Sequence, residues 1–259
     1  MLKIENLKKT FLPGTINEKK VFDGLNLTIE DGDFVTVIGS NGAGKSTLLN
    51  AIAGSFAIDD GKIIIDDVDI TKFPEYKRAK YIGRVFQDPM TGTASDMWIE
   101  ENLALANRRG NARGLKQGIN NEERQIYREL LAEFNLGLED RLDTKVGLLS
   151  GGQRQAITLL MATLIKPKLL LLDEHTAALD PKTAKKVLEI TDKVVKKNKL
   201  TTFMVTHNMK DAIAHGNRLI MMDDGKIVLD IKGKEKKELT VEKLLEKFNI
   251  VSDEMLLRK

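Results

Sequence analysis

The stretch GSNGAGKST, residues 39 to 47, limits what this chain can fold into more than any other feature. Gly39, Gly44, Lys45 and Ser46 match the spacing G-x-x-x-x-G-K-[ST], and the apolar, β-branched run FVTVIG (34–39) leads into it. Such a run reads as a buried parallel strand, and a helix is predicted to open near Lys45. Strand, glycine loop and helix N-terminus together make a phosphate cradle. Glycines let successive backbone N–H groups converge on phosphate oxygens, and the helix dipole favours the negative charge. Ser40, Asn41, Gly42, Ala43, Gly44 and Thr47 are expected to line the phosphates. The Lys45 ammonium is expected to reach the β- and γ-phosphates, and the Ser46 hydroxyl to ligate Mg²⁺.

The rest of the chain is read around that cradle. Strands are expected over LKIENLKKTF, VFDGLNLTIE, KIIIDDVDI and IGRVFQD, with a turn at Pro13-Gly14. From about 88 to 166 the strand signal gives way to helical spacing, as in EENLALANRR and NEERQIYRELLAEFNLG. The stretch RRGNARGLKQG (108–118) reads as a basic exposed loop. Strand and helix then alternate again through LLLLD, PKTAKKVLEITDKVVKKN and TTFMVTH, and NRLIMMDDGKIVLDI closes as a hairpin at Asp224-Gly225. A lysine-rich link leads to a short amphipathic helix capped by Thr240, with Val241, Leu244, Leu245 and Phe248 on one face. The expected organisation is an α/β domain over 1–231 with a helical subdomain at about 88–166, then a tail at 232–259.

Composition removes several classes of function. There are 41 basic and 38 acidic side chains, a net charge of +3, too even to argue for nucleic acid by bulk charge. Cysteine is absent, so disulfides and thiolate metal sites are excluded. The longest strongly apolar run, AITLLMATLI (156–165), falls well short of the roughly 20 residues that span a bilayer. Any membrane role is therefore expected to come through a partner.

Four further places carry chemistry. LLLLDE (169–174) is a buried strand with Asp173 and Glu174 emerging at its C-terminal end, the edge where ligands bind in parallel sheets. Asp173 suits the outer coordination of the Mg²⁺ held by Ser46, and Glu174 can polarise a water; taken alone, the pattern is as often a solvated turn. His207 closes a strand of the same sheet, within reach of a γ-phosphate, although a lone histidine there is more often structural. Gln87 stands where the helical insertion begins and can touch both metal and water. In LLSGGQRQ (148–155), Ser150 can cap a helix, and Gly151 and Gly152 leave its first N–H groups open to an anion. This second anion site lies far along the chain from the first. Two chains arranged head to tail would let each present it to the other's nucleotide.

Together these residues resemble the nucleotide-binding subunit of ATP-binding cassette (ABC) transporters over roughly residues 1–231, with the motifs in the family's order. They are GSNGAGKST, Gln87, LSGGQ (149–153), LLLLDE, AALD (177–180) and His207. The resemblance implies a P-loop (RecA-like) α/β core with a mostly parallel sheet, an N-terminal antiparallel β subdomain and an inserted helical subdomain. It implies ATP and Mg²⁺ as ligands, Glu174 as general base and His207 as γ-phosphate sensor. It also implies that Ser150 and Gly152, with Gly151 and Gln153 of the same motif, complete the site in trans, that Asp180 couples two sites, and that Phe11 stacks on adenine; a core phenylalanine is the competing reading of Phe11. Two positions depart from the family. His175 follows Glu174 where proline is usual, and a solvent-facing histidine is the expectation. MATL (161–164) replaces an arginine-alanine pair, removing one positive charge.

The implied function is ATP hydrolysis driving transport through separate permease subunits, by dimer closure on the cytoplasmic face of the membrane. By family habit this is an importer served by an extracytoplasmic binding protein, and the DEHTAALDP motif with the basic loop resembles cassettes of amino-acid systems. A soluble cassette ATPase acting on ribosomes or DNA is the alternative, favoured only by the basic loop. A phosphate-transferring kinase is disfavoured by the LSGGQ helix.

Overall fold

In a computed structural model, residues 1–111 and 118–248 are described. Most of the basic loop and the last residues of the tail lie outside them. In chain order the elements are β1 (Leu2–Phe11), β2 (Lys19–Ile29), β3 (Phe34–Gly39), α1 (Lys45–Ala53), β4 (Asp60–Ile65), β5 (Val68–Asp69), α2 (Glu75–Arg78), β6 (Ile82–Val85), α3 (Ile99–Asn107), α4 (Asn121–Ala132), α5 (Gly151–Thr163), β7 (Leu169–Asp173), α6 (Pro181–Asn198), β8 (Thr202–Val205), α7 (Met209–Ala214), β9 (Arg218–Asp223), β10 (Lys226–Lys232) and α8 (Lys234–Lys237). The chain divides into two units, Met1–Arg78 with Leu200–Lys259, and Ala79–Lys199.

In the first unit β1 buries Leu2, Ile4 and Leu7 and pairs antiparallel with β2 and β4, Leu2 lying opposite Ile29 and Ile65. These strands, with β5, form a sheet in the order β2-β1-β4-β5. The continuous strand expected over KIIIDDVDI is instead the hairpin of β4 and β5. Asp66 and Asp67 both take positive φ (47° and 64°), the geometry of a tight two-residue hairpin turn, and aspartate tolerates it. A second group of strands is parallel where β3 runs beside β8 and β9, with β10 returning antiparallel along β9. β3 is buried along nearly its whole length, as its largely apolar run requires, and the one polar residue in it, Thr36, donates its hydroxyl to the Ala212 carbonyl.

Helix α1 ends under a buried arginine. The Arg78 guanidinium donates to the carbonyls of Ala51 and Ile52 at 2.7 and 2.8 Å, to Phe73 and to Thr71, so the last carbonyls of the helix find a charged donor. The residues after Ile231 pack into the same unit. Leu239 and Leu244 join Ile38, Ala212, Leu219 and Met221 in one apolar cluster, and buried Lys236 donates to the His215 carbonyl. The Thr240 hydroxyl accepts from Lys243 N–H at 3.3 Å, as a cap should. Leu244 is fully buried while Leu245 is exposed, so the apolar face is narrower than its sequence spacing predicts.

The second unit holds the parallel pair β6–β7, in register from Ile82↔Leu169 to Val85↔Leu172, and the helices α3 to α6. Arg109 donates to the carbonyls of Ala162 and Ile165 at the end of α5, at 3.2 and 2.8 Å. A cation therefore stands at the helix end next to MATL, although that stretch lacks its own arginine. No helix among the described residues is long and apolar enough to cross a membrane.

Candidate functional site

The phosphate loop lies in the first unit. β3 ends at Gly39, and α1 opens at Lys45 behind Gly44, whose φ of 96° closes the loop. The positive φ of Gly44 favours glycine, and a Cβ there would also press the Phe22 ring at 3.0 Å. Lys45 is 7% exposed and its Nζ donates to the Gly39 and Ser40 carbonyls at 2.9 Å each. An ammonium has three donors, so the residue is held along the loop with a further N–H for a phosphate oxygen. The Ser40 hydroxyl donates to Asp223 at 2.9 Å, fixing the loop to the end of β9, and the Gly225 N–H donates to the Ala43 carbonyl. Asn41, Gly42 and Ser46 are exposed, Thr47 is half-buried and Ala43 is buried. The loop therefore turns backbone and the Ser46 hydroxyl outward.

Phe11 is half-buried. Its ring meets Phe56 edge-to-face at 5.2 Å, and Lys9 Nζ stands 5.2 Å from its centroid. It is not a core phenylalanine. His207 lies two residues beyond the end of β8 and is exposed.

The second unit holds the acidic set. Because β6 and β7 are parallel and in register, Gln87 and the pair Asp173-Glu174 leave them at the same end. Gln87 is exposed and Asp173 is 17% exposed. Burial pushes the Asp173 carboxyl up, opposed by the Arg84 guanidinium at 3.5 Å. Glu174 has φ 42°, a left-handed conformation that costs a non-glycine residue about 1 kcal/mol or more. The Ala177 N–H donates to its carbonyl at 2.9 Å and holds the turn. His175 does not face solvent. It is 2% exposed, with Nε2 3.1 Å from the Thr191 hydroxyl, which itself donates to the Val187 carbonyl. The residue thus packs on α6 while Glu174, beside it, stays half-exposed.

Ser150 and Gln153 form a reciprocal capping box at the start of α5, at 3.3 and 3.2 Å. Asp180 caps α6, accepting from the Thr183 N–H at 3.1 Å, with Pro181 at the first helical position. The Thr183 hydroxyl first, and its N–H second, hold the Asp180 carboxyl below its usual range. The two glycines differ. Gly151 is exposed, whereas Gly152 is buried, and a Cβ on it would lie 2.1 Å from Thr183 Cγ2. Close packing of α5 on α6 thus requires at least this glycine, a reason the sequence did not carry. An open cavity of about 700 Å³ borders Ser150, Gly152 and Gln153, with Lys182, Lys185 and Lys186 on its rim. Cations beside a helix N-terminus suit an anion.

Arg84, Asp223 and Thr183 were missed by sequence reasoning. None lies in a recognisable motif, and each acts by a contact made in the folded chain. Among the described residues no three His, Cys, Asp or Glu side chains cluster as a closed metal cage. In the second unit, the Gln87 amide and the single strand-end carboxylate of Asp173 are oxygen donors of the kind Mg²⁺ takes, an ion that uses few protein ligands and completes its shell with phosphate and water.

Loop, helix and parallel strands define a P-loop nucleoside-triphosphatase. The family model described as ABC transporter matches residues 22–177. The chain belongs to that family: it is an ATP-binding, ATP-hydrolysing subunit of a transporter. It is 51% identical over 249 residues to a tyrosine transport ATP-binding protein of Clostridioides difficile, covering 96% of this chain and 98% of the relative. It is 36% identical to the energy-coupling factor transporter ATP-binding protein EcfA2 of Clostridium acetobutylicum, covering 88% and 78%. Among solved structures, the dimeric ATP-binding cassette MJ0796 with ADP and Pi in a post-hydrolysis state superposes with a TM-score of 0.75 at 30% identity, covering 90% of this chain and 98% of that one.

Proposed function

We propose that this chain is the motor subunit of an amino-acid importer and works as a head-to-tail homodimer on two ATP molecules. Each copy gives residues 40–47 to one nucleotide and Ser150, Gly151, Gly152 and Gln153 to the other. Phe11 stacks on the adenine, and Lys45 and the loop N–H groups hold the phosphates. Ser46, Gln87 and Asp173 would hold Mg²⁺, which supplies neutralisation of the charge on the β- and γ-phosphate oxygens. Glu174 takes the proton of the attacking water, His207 senses the γ-phosphate, and Asp180 links the two sites. Its left-handed backbone supports the reading of Glu174, since strain of this kind concentrates at functional sites.

ATP favours the closed dimer, and loss of the γ-phosphate releases it, moving integral-membrane permease subunits through the helical residues that follow Gln87. An extracytoplasmic binding protein would deliver the cargo, and the chain would sit peripherally on the cytoplasmic face of the membrane. The observation that carries the amino-acid reading is the 51% identity, over nearly the full length of both chains, to a protein named for tyrosine transport. Tagged chain drawn from a detergent extract of native membranes is expected to bring down an apolar, multi-span subunit. Recovery of ribosomal proteins or DNA instead would reject the transporter assembly.

A further inference from the structure

We propose that Arg84 is a positioning residue for Asp173: it holds a fixed positive charge beside the carboxylate and sets the Mg²⁺ concentration at which the site fills. The inference rests on the reading of Asp173 as the metal's carboxylate.

The geometry is built into the parallel register. Arg84 on β6 lies opposite Leu171 on β7, and Asp173 is two residues further along the same face. Arg84 Nη2 stands 3.5 Å from Asp173 Oδ2, and the two side chains are only 13% and 17% exposed, so water and salt screen the pair weakly. The guanidinium also stacks 4.4 Å from the Phe86 ring centroid. Phe86 in turn is held by its carbonyl, which accepts from Gln155 Nε2 at 3.1 Å, and Gln155 is fully buried in α5. A surface arginine would swing aside when a second cation arrived. Stacked on a ring two residues further along its own chain and only 13% exposed, this one stays.

Two consequences follow. Before the metal binds, the ion pair keeps the carboxylate aimed at the strand end. When Mg²⁺ binds, it shares Asp173 with a guanidinium that does not leave, and the repulsion raises the Mg²⁺ requirement. Through Phe86 and Gln155 the pair is also tied to the helix that carries the SGGQ motif.

The test is equilibrium binding of a fluorescent ATP analogue to the full chain, titrated with MgCl₂. Arg84→Gln should lower the half-saturating Mg²⁺ about three- to tenfold, whereas Arg84→Lys, which keeps the charge, should stay within about twofold of the parent. A midpoint unchanged or raised in Arg84→Gln overturns the proposal, as does a lysine variant that shifts as far as the glutamine one. If Arg84→Gln does not fold, Phe86→Leu removes the stacking platform and should shift the midpoint the same way by a smaller factor; no shift overturns the proposal. Melting separates this role from a purely structural one. The deficit of Arg84→Gln in EDTA should narrow with Mg²⁺ and nucleotide, and an equal deficit in both counts against the proposal. Asp173→Asn, run in parallel, should raise the midpoint at least about tenfold. If it does not, the metal reading of Asp173 fails. If it does while Arg84→Gln is silent, only the role of Arg84 fails.

Discussion

Adding one methyl group at Gly152 separates the two jobs that glycine can have. In Gly152→Ala the new Cβ would lie 2.1 Å from Thr183 Cγ2. Thr183 sits in the first turn of α6, its N–H held by Asp180, and its β-branched side chain has few rotamers to escape into. The helices must move apart or the threonine must leave its rotamer, and overpacking of this kind costs about 1–3 kcal/mol. Alanine's better helix propensity offsets at most about 1 kcal/mol. The expected net loss is about 1–2 kcal/mol, a fall in melting temperature of roughly 2–8 °C for a chain of this size. Thr183→Ser removes the clashing methyl, so the double variant should recover most of the loss, with a coupling energy above about 0.5 kcal/mol in a double-mutant cycle from urea unfolding. A Gly152→Ala protein as stable as the parent, or one that Thr183→Ser does not rescue, would refute the packing argument. ATP hydrolysis by the rescued pair then reads the other job. Activity still depressed in a stable double variant would point to the bare backbone facing the nucleotide of a second chain.

Other perturbations probe separate parts. Glu174→Gln should lower ATP hydrolysis by about 10²–10⁴-fold while a dimer accumulates with ATP and Mg²⁺; light scattering that finds only monomer would count against the proton-accepting role. Arg78→Met should cost about 2–4 kcal/mol in urea unfolding, because the buried guanidinium serves carbonyls of Ala51, Ile52, Thr71 and Phe73; a loss under about 0.5 kcal/mol would mean those carbonyls find water. Leu244→Ala should cost about 2–4 kcal/mol and lower the single melting transition, since Leu244 is fully buried in the cluster with Ile38 and Leu219. A separate early transition would instead show that the tail frays alone.

The local chemistry of the site was legible in order along the chain. FVTVIG reads as a buried strand because only Thr36 interrupts its apolar, β-branched run, and it is β3 at the same bounds. The Gly-Lys-Ser step then fixed where α1 begins. Ser150 announced a helix start, since a short oxygen-bearing side chain before a periodic run satisfies otherwise orphaned N–H groups, and it is a cap; that Asp180 caps α6 was seen only in the folded chain. The continuous strand expected over KIIIDDVDI failed at Asp66-Asp67, because the flanking apolar run outweighed a pair of aspartates, poor strand residues that tolerate positive φ.

The family, the phosphate loop and the order of the motifs were therefore set by the sequence itself, through rules that act over a few neighbouring residues: strand run, glycine φ, cap and dipole. Contacts between elements were decided only in the folded chain. Arg84 faces Asp173 because β6 and β7 pair in one parallel register, at a separation along the chain that no local pattern encodes. His175 is buried on Thr191, Gly152 is needed against Thr183, and Leu244 rather than Leu245 enters the core, each because of what another element places beside it. Local rules specify which conformations a segment prefers; which side chain touches which is fixed by packing, where a shift of a single methyl group is already felt.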